Sequence, residues 1–368
     1  MEVEDAARLS AVIKYIGSKR RLVPVLGQLF ARAGGRTALD LFTGTTRVAQ
    51  EFKRRGARVW AVDTARYSEV FARCYVAADA RTVDTSALRA AIDELNALPG
   101  TDGYVTKVFC RRSRYFQPKN GRRIDAIRDA IEERYAGTSL EPILLTSLIE
   151  AADRVDSTTG VQMAYLKDWA PRSFNHLELR VPGLLPGTGQ ALRSDALVAA
   201  RSVPEVDVAY LDPPYNQHRY FTNYHVWETL VGWDAPPAYG VACKRIDARD
   251  PSTRSRFNAR TEIAGALAEV IAAVRARLLM VSFSDEGWIG LPDLEAMASG
   301  RGHVRTLAFD SKRYVGALIG IHDPRGVPVG RVSHLRNTEY IVLAGERALV
   351  DDLAAHVSAS TTSVPAPA

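Results

Sequence analysis

The sequence predicts an α/β fold built on a mostly parallel sheet with an antiparallel edge and a helical insertion. Three observations carry this. Residues 36–65, RTALDLFTGTTRVAQEFKRRGARVWAVDTA, read as strand, loop, helix and second strand. The apolar strand in VDVAYLDPPY (206–215) stops abruptly at two prolines. Between these stretches, from about residue 84, the periodicity is helical and no strong strand interrupts it.

Taken in order, residues 1–13 read as a lead-in with some helical character. KYIGSKRRL (14–22) breaks into a loop at Gly17-Ser18 and re-enters a helix through Val23, Leu26 and Leu29. The first strand is Thr37–Leu41, the loop Phe42–Thr46, the helix about Arg47–Arg55, closed by Gly56, and the second strand Arg58–Val62. A further helix is expected over Tyr67–Ala80. The helical block is broken at Pro99-Gly100, Pro118, Gly137 and Pro171, and VPGLLPGTGQ (181–190) makes a loop. A short strand-like stretch ends at Asp195. After the strand at 206–211 come a polar, basic stretch (234–260), a helix (Glu262–Arg277) and the apolar strand LLMVSFS. Alternation in RTLAFDSKRYVGA and NTEYIVLA predicts antiparallel strands at one sheet edge. The organisation expected is therefore 13–83 and 186–350 as the two parts of one catalytic domain, 84–185 as a helical insertion, and 358–368 as a disordered tail rich in Ser, Thr, Pro and Ala.

Composition narrows the class. In 368 residues, 46% are hydrophobic and 24% charged, which is the balance of a soluble globular protein. No window approaches the ~20 apolar residues of a membrane span, and MEVEDAARLS lacks the form of a secretory signal. Cys74, Cys110 and Cys243 are too widely spaced for a disulfide framework or zinc motif, so a reducing, cytoplasmic setting and no metal are expected. The net charge of +6 leans toward a polyanionic partner. Basic clusters occur at Lys19-Arg20-Arg21, Lys53-Arg54-Arg55, Arg111-Arg112 with Arg114, Lys119 with Arg122-Arg123, and from Lys244 to Arg260; Phe109, Tyr115, Phe116 and Phe257 are interleaved. Each alone reads as a solvated face; together they fit a surface that follows phosphates.

Two stretches carry chemistry. Proline fixes φ and donates no backbone hydrogen bond, so the strand cannot run through Pro213-Pro214. The loop that follows is stiff and leaves from the strand's carboxyl end, where open parallel sheets bind ligands; a plain strand-end turn is the other reading. In LDLFTGTT, Gly44 follows a strand, Asp40 precedes it, and Asp63 ends the next strand, the arrangement of a nucleotide-cofactor fold. A dinucleotide fingerprint needs three glycines around a pyrophosphate. One glycine with nearby acids suits S-adenosyl-L-methionine, which has no phosphate, although this geometry alone leaves a nicotinamide cofactor, or no cofactor, open.

The combination resembles the Dam-like, alpha-group adenine-specific DNA N6-methyltransferases of restriction–modification systems. KYIGSKRRL is similar to that family's first motif, LDLFTGTT to its cofactor loop, LRSDAL to the acid segment before the catalytic strand, LDPPYN to the catalytic motif, and MVSFSDEGWI to a later strand beside the base pocket. The order of motifs is that of the alpha group, over about residues 13–345. Two departures stand out: Gly17-Ser18 replaces Gly-Gly, and Thr45-Thr46 stand where a second glycine is common. The resemblance implies a Rossmann-like methyltransferase sheet that transfers methyl from S-adenosyl-L-methionine to a flipped adenine in double-stranded DNA, with a cognate restriction endonuclease as a possible partner. It implies catalytic roles for Asp212, Pro213, Pro214 and Tyr215. It implies cofactor contacts for Tyr15, Gly17, Asp40, Phe42, Gly44, Asp63, Asp195 and Asp212.

Target recognition is then expected in 84–185, with Arg111, Arg112, Arg114, Lys119, Arg122 and Arg123 as DNA contacts. Lys19, Lys244 and Arg245 are further candidates, as is a hairpin in KRYVGALIGIHDPRGVPVG. Phe221, Tyr224 and Trp227 read either as base-pocket walls or as a helix's core stripe. Cytosine-N4 methylation, which favours Ser at the Asp212 position, a non-catalytic DNA-binding protein and an NAD oxidoreductase stay open here.

Overall fold

The computed structural model of the chain describes residues 13–17, 19–312 and 336–362. Within them, strands follow in the order β1 (Thr37–Leu41), β2 (Arg58–Asp63), β3 (Gln190–Arg193), β4 (Val206–Leu211), β5 (Ala238–Tyr239), β6 (Lys244–Arg245), β7 (Ala276–Ser284), β8 (His303–Lys312) and β9 (Arg336–Gly345). The chain forms two compact units. One holds residues up to Gly27, Thr43–Ala196 and Arg219–Ser255; the other holds Gln28–Phe42, Leu197–His218 and Arg256 onward.

In the second unit the strand order is β1-β4-β7-β9-β8. β4 and β7 are near-continuous apolar runs, buried from Val208 to Leu211 and from Leu278 to Ser284, as strands covered on both faces must be. β1 pairs parallel with β4, Leu41 opposite Leu211, and β4 pairs parallel with β7, Leu211 opposite Val281. Asp207 fixes the other end of the first ladder: its carboxylate accepts the N–H groups of Arg36 and Thr37 at 2.8 and 2.9 Å. β9 runs antiparallel to β7 and β8, so the edge predicted from the alternating tail is present. The hairpin expected in KRYVGALIGIHDPRGVPVG lies, beyond Lys312, outside the described residues, as does the expected lead-in before Ile13. The tail is a correction. A helix runs Arg347–Thr362, so Ser358–Thr362, assigned from composition to a disordered tail, continue a helix already anchored by buried Val350, Leu353 and Val357.

The first unit is mainly helical. β2 and β3 pair in parallel, Asp63 opposite Arg193. Helix Arg66–Ala72 passes into a π-turn, Arg73–Ala77, which ends where the Lys53 ammonium donates to the carbonyls of Tyr75 (3.2 Å) and Ala78 (2.5 Å). Burial lowers that lysine's pKa to about 8. The block expected to stand as an insertion comprises helices Thr85–Ala97, Pro118–Tyr135 and Glu141–Arg154 with a π-helix at Thr106–Arg112. It is not separately packed. Its core is shared with Tyr67, Phe71 and Tyr75 from before it and Tyr224, Trp227 and Leu230 from after it. The reason is visible in helix Glu141–Arg154, buried at every position from Pro142 to Asp153: a helix buried on all sides needs neighbours all round.

Asp125 is the main polar fastener of this core. Its fully buried carboxylate accepts from the N–H groups of Gly103, Val105 and Thr106 (3.0, 2.8 and 2.8 Å) and from the Thr106 hydroxyl at 2.6 Å, which fixes the start of the π-helix. Asp125→Ala leaves several buried donors unpaired and is expected to cost ~3 kcal/mol or more. Urea unfolding at neutral pH measures it, and a loss under about 1 kcal/mol would contradict the assignment.

Candidate active site

The loop after β1 is shaped by residues in the left-handed region: Phe42 (φ 67°), Gly44 (φ 51°) and Thr46 (φ 61°). At Gly44 a Cβ would sit 3.1 Å from the Tyr15 ring, so close approach as well as backbone conformation calls for glycine there. The loop is pinned by the acid that ends β2. Asp63 accepts the Gly44 N–H through Oδ2 at 2.9 Å and the Ala65 N–H through Oδ1 at 3.0 Å. Burial raises the Asp63 pKa, and those backbone donors oppose the rise. Asp63 as a residue is half-buried, and its carboxylate also meets the Thr64 N–H and the Ser68 hydroxyl.

Beside this loop stands a stack of tyrosines. Tyr15 stacks on Tyr224, with centroids 4.6 Å apart and planes 16° apart, and on Tyr220, at 5.3 Å and 25°, while Tyr220 and Tyr224 are 6.3 Å from each other, so the three rings form a cluster. Its hydroxyl is 3.2 Å from that of Tyr67. The Tyr224 hydroxyl accepts the Ile16 N–H at 2.7 Å, and Gly17 (φ 72°) leaves room for the Tyr220 hydroxyl, 3.1 Å from where a Cβ would be. Lys14 anchors the segment: its ammonium meets the Asp153 carboxylate at 2.9 Å and that of Asp156 at 3.3 Å, and its N–H also donates to Asp153. Burial raises the pKa of Asp153. The sequence marked Tyr15 but not Tyr67 or Tyr220. The i, i+4 spacing of Tyr220 and Tyr224 in YFTNYH was the available signal. Tyr224 and Trp227 prove to be buried core residues, and Phe221 is half-buried.

The Asp-Pro-Pro-Tyr loop belongs to the sheet unit. Asp212 follows β4 directly, and its N–H points to the Leu41 carbonyl at 3.5 Å, so the Asp-Pro-Pro-Tyr loop opens beside the end of β1. Pro213 is buried, while Asp212, Pro214 and Tyr215 are half-buried. The Tyr215 ring leans on Phe283 of β7 (5.6 Å, 59°), and its carbonyl accepts the Trp288 N–H at 3.0 Å. Asn258 closes the far side, donating to the carbonyls of Asn216 and His218 at 2.9 and 3.1 Å. Phe42 meets Phe257 edge-on at 4.8 Å. Asp40 is buried on β1 opposite Tyr210; Asp195 is exposed two residues beyond β3.

The basic residues singled out from sequence separate into different roles. Arg123 is a brace, its guanidinium donating to the carbonyls of Leu177, Leu98 and Asn96 at 3.2, 3.2 and 2.9 Å. Arg245 is another: 3% exposed, it pairs with Asp234 and Asp247, each at 2.7 Å. Both, expected from sequence as DNA contacts, have internal partners that a cation count does not reveal. Lys19 is buried where the first helix begins. Arg111 and Arg122 share Asp102 at the surface, Lys119 donates to the Phe174 carbonyl, and Arg114 lies over the Trp169 ring at 4.9 Å. Arg112 is exposed and Lys244 half-buried.

Each unit taken by itself, a glycine turn fixed by the acid that ends a strand in one and an Asp-Pro-Pro-Tyr loop at the carboxyl end of a parallel strand in the other, has the form of a ligand-binding α/β protein. The family model for D12 class N6 adenine-specific DNA methyltransferase matches residues 15–280, and the chain belongs to that family. It is an S-adenosyl-L-methionine-dependent, adenine-specific enzyme, which removes the cytosine-N4, NAD and non-catalytic readings. The chain is 29% identical over 290 residues to the type II methyltransferase M.NlaIII of Neisseria lactamica, covering 75% of this chain and 84% of that one. It is 27% identical to the type II methyltransferase M.CviAII of Paramecium bursaria Chlorella virus 1, covering 84% and 94%. It is 28% identical to the modification methylase StsI of Streptococcus sanguinis, covering 77% of this chain but 45% of that longer protein, so there it spans about half of its relative.

Next to the tyrosine stack, Glu228 is 2% exposed and receives the Tyr67 N–H at 3.4 Å. Burial, opposed by that bond and by Arg66, raises its pKa to about 7 from 4.5. A raised carboxyl pKa means the fold holds the proton more tightly than the unfolded chain does. The stability from this group is complete below 4.5 and is lost as pH rises through 7. Glu228→Gln, which stays neutral, is expected to flatten that part of the stability–pH curve by up to ~3 kcal/mol. Thermal melts from pH 4.5 to 8 measure it; parallel curves for variant and wild type would refute it.

Proposed function

We propose that the chain is the modification methyltransferase of a restriction–modification system, methylating the N6 amine of an adenine flipped from a specific site in double-stranded DNA. The observation that carries this is the β1–β4 register, which opens the Asp212-Pro213-Pro214-Tyr215 loop beside the carboxyl end of β1. The names of the relatives as type II methyltransferases and modification methylases support the restriction–modification setting, and a nuclease acting on the same site is the partner expected. The reaction belongs in the cytoplasm of a bacterial cell, where the DNA is.

The residues fit the cofactor. The Asp63 carboxylate at the turn offers acceptors for ribose hydroxyls, Gly44 removes the side chain that would fill the turn, Tyr15 lies against the same loop, and Gly17 lies by Tyr220. Phe42, Asp40 and Asp195 at the strand ends, with Asp212, complete the set that would hold it. S-adenosyl-L-methionine, when bound, supplies a methyl group on a sulfonium. The protein's task is to make a delocalised amine nucleophilic. The Asp212 carboxylate and the Pro213 carbonyl accept the two amine protons as hydrogen bonds and favour a more tetrahedral nitrogen. The prolines hold those acceptors in place before the base arrives, which makes them effective in a dry site. Tyr215 offers a face for the extruded base, whose unstacking costs a few kcal/mol. Residues 84–185 supply target recognition, with Arg112, Arg114 and Lys119, and the surface pair Arg111 and Arg122, as DNA contacts. Exposed ion pairs such as those of Arg111 and Arg122 with Asp102 are weak enough for a phosphate to displace.

Asp212→Ala is expected to lower kcat by ~100-fold or more while duplex affinity changes little. Transfer of tritiated methyl to DNA, beside a gel-shift titration, reads both; methylation at a rate comparable to wild type would overturn the role given to Asp212.

A further inference from the structure

Backbone strain in this chain is concentrated. Among the described residues five non-glycine positions adopt positive φ: Phe42, Thr46, Trp233, Ala235 and Cys243. The first two frame the glycine turn of the cofactor site. The other three fall within eleven residues that have no part in that site, together with Gly240 (φ 66°). Strained backbone persists where surrounding structure enforces it, and it gathers at functional elements.

This second segment is a short hairpin, β5 and β6, turning at Gly240–Cys243. It is braced from all sides. Arg245 is buried between Asp234 and Asp247. The Tyr104 hydroxyl donates to the Pro236 carbonyl at 2.6 Å and the Tyr115 hydroxyl to the Ala242 carbonyl at 2.9 Å. Cys243 is packed into the helical core. What so rigid a mount presents is an apolar tip. Val241 is 80% exposed, the highest among the large exposed hydrophobic residues described, and Ile246, directly after β6, is 42% exposed. Cations flank it: exposed Arg249 lies over the Tyr239 ring at 4.1 Å, and exposed Arg112 reaches the Ala238 carbonyl at 3.5 Å.

We infer that the β5–β6 hairpin is a DNA-insertion element: Val241 enters the base stack of the duplex while Arg249 and Arg112 hold the adjoining phosphates. This rests on the DNA-methyltransferase reading above and adds the surface that deforms the substrate. A single exposed valine with one isoleucine is too little apolar area for a stable protein interface. An apolar wedge between cations is the chemistry that unstacks a base step and retains the backbone beside it. The brace explains the strain, since a wedge that yielded would not open the stack.

The test compares Val241→Asp with wild type on two duplexes carrying the methylated site: one fully paired, one with an abasic position opposite the target adenine. Val241 is exposed, so the variant should melt with the wild type. Expected is a drop of about tenfold in kcat/KM on the paired duplex, and recovery to within about twofold on the abasic one, where opening is already easy. Arg249→Gln should reduce the slope of log binding constant against log salt by about 1. Equal activity of Val241→Asp and wild type on both duplexes overturns the inference, as does an equal loss on both. So does a change in sedimentation alone, which would give the tip to a second copy of the chain. A wild-type protein that labels neither duplex fails at the earlier step and removes the DNA reading itself.

Discussion

The alignment of β1 with β4 is the constraint on which the position of the Asp-Pro-Pro-Tyr loop depends. With Leu41 opposite Leu211, both strands end at one level, β1 before Phe42 and β4 before Asp212 and the two prolines. Side chains alternate along a strand, so a slip of one residue would turn Asp40 and Tyr210 to the opposite faces and displace Asp212 along the strand axis. The pairing is held at the far end by Asp207 on the backbone of Arg36 and Thr37, and on its open flank by β7. Apolar strands buried on both faces make that register expensive to change.

Around this frame, charged groups serve mostly to fix backbone. Asp63 holds the cofactor turn, Asp125 the start of a π-helix, Lys53 the end of another, and Arg123 and Arg245 two loops. In each case a long or acidic side chain satisfies backbone or charge partners that no regular hydrogen-bond ladder could reach, and leaving such groups unpaired in a core is costly. The same economy explains why basic residues adjacent in sequence differ so much in role. Arg122 faces solvent and Arg123 turns inward to three carbonyls.

Much of the fold was legible because it rests on local signals. Apolar runs gave β4 and β7, alternation gave β8 and β9, and the prolines gave the break at Asp212. The site was legible where a motif coincides with a strand end, as at Gly44, Asp63 and Asp212. Legibility failed where the deciding partner is distant in sequence. The stacking of Tyr15 on Tyr220 and Tyr224 spans some two hundred residues, and the i, i+4 spacing of those two does not announce Tyr15 as their partner. The helical block read as an insertion because its boundaries are local; that it shares one core with Tyr67 and Trp227 is a matter of long-range packing. Ser358–Thr362 have the composition of a tail, yet they extend a helix begun upstream.

By itself, then, the sequence determined which segments become strands and helices, where the parallel strands must end, and which acid, glycine and proline residues stand at those ends, because propensity, periodicity and proline geometry act within a few residues. Tertiary structure alone decided which tyrosines meet, which arginines are braces, and where strained backbone is mounted rigidly enough to present Val241, because those outcomes are set by the packing and hydrogen-bond partners that only the folded chain brings together.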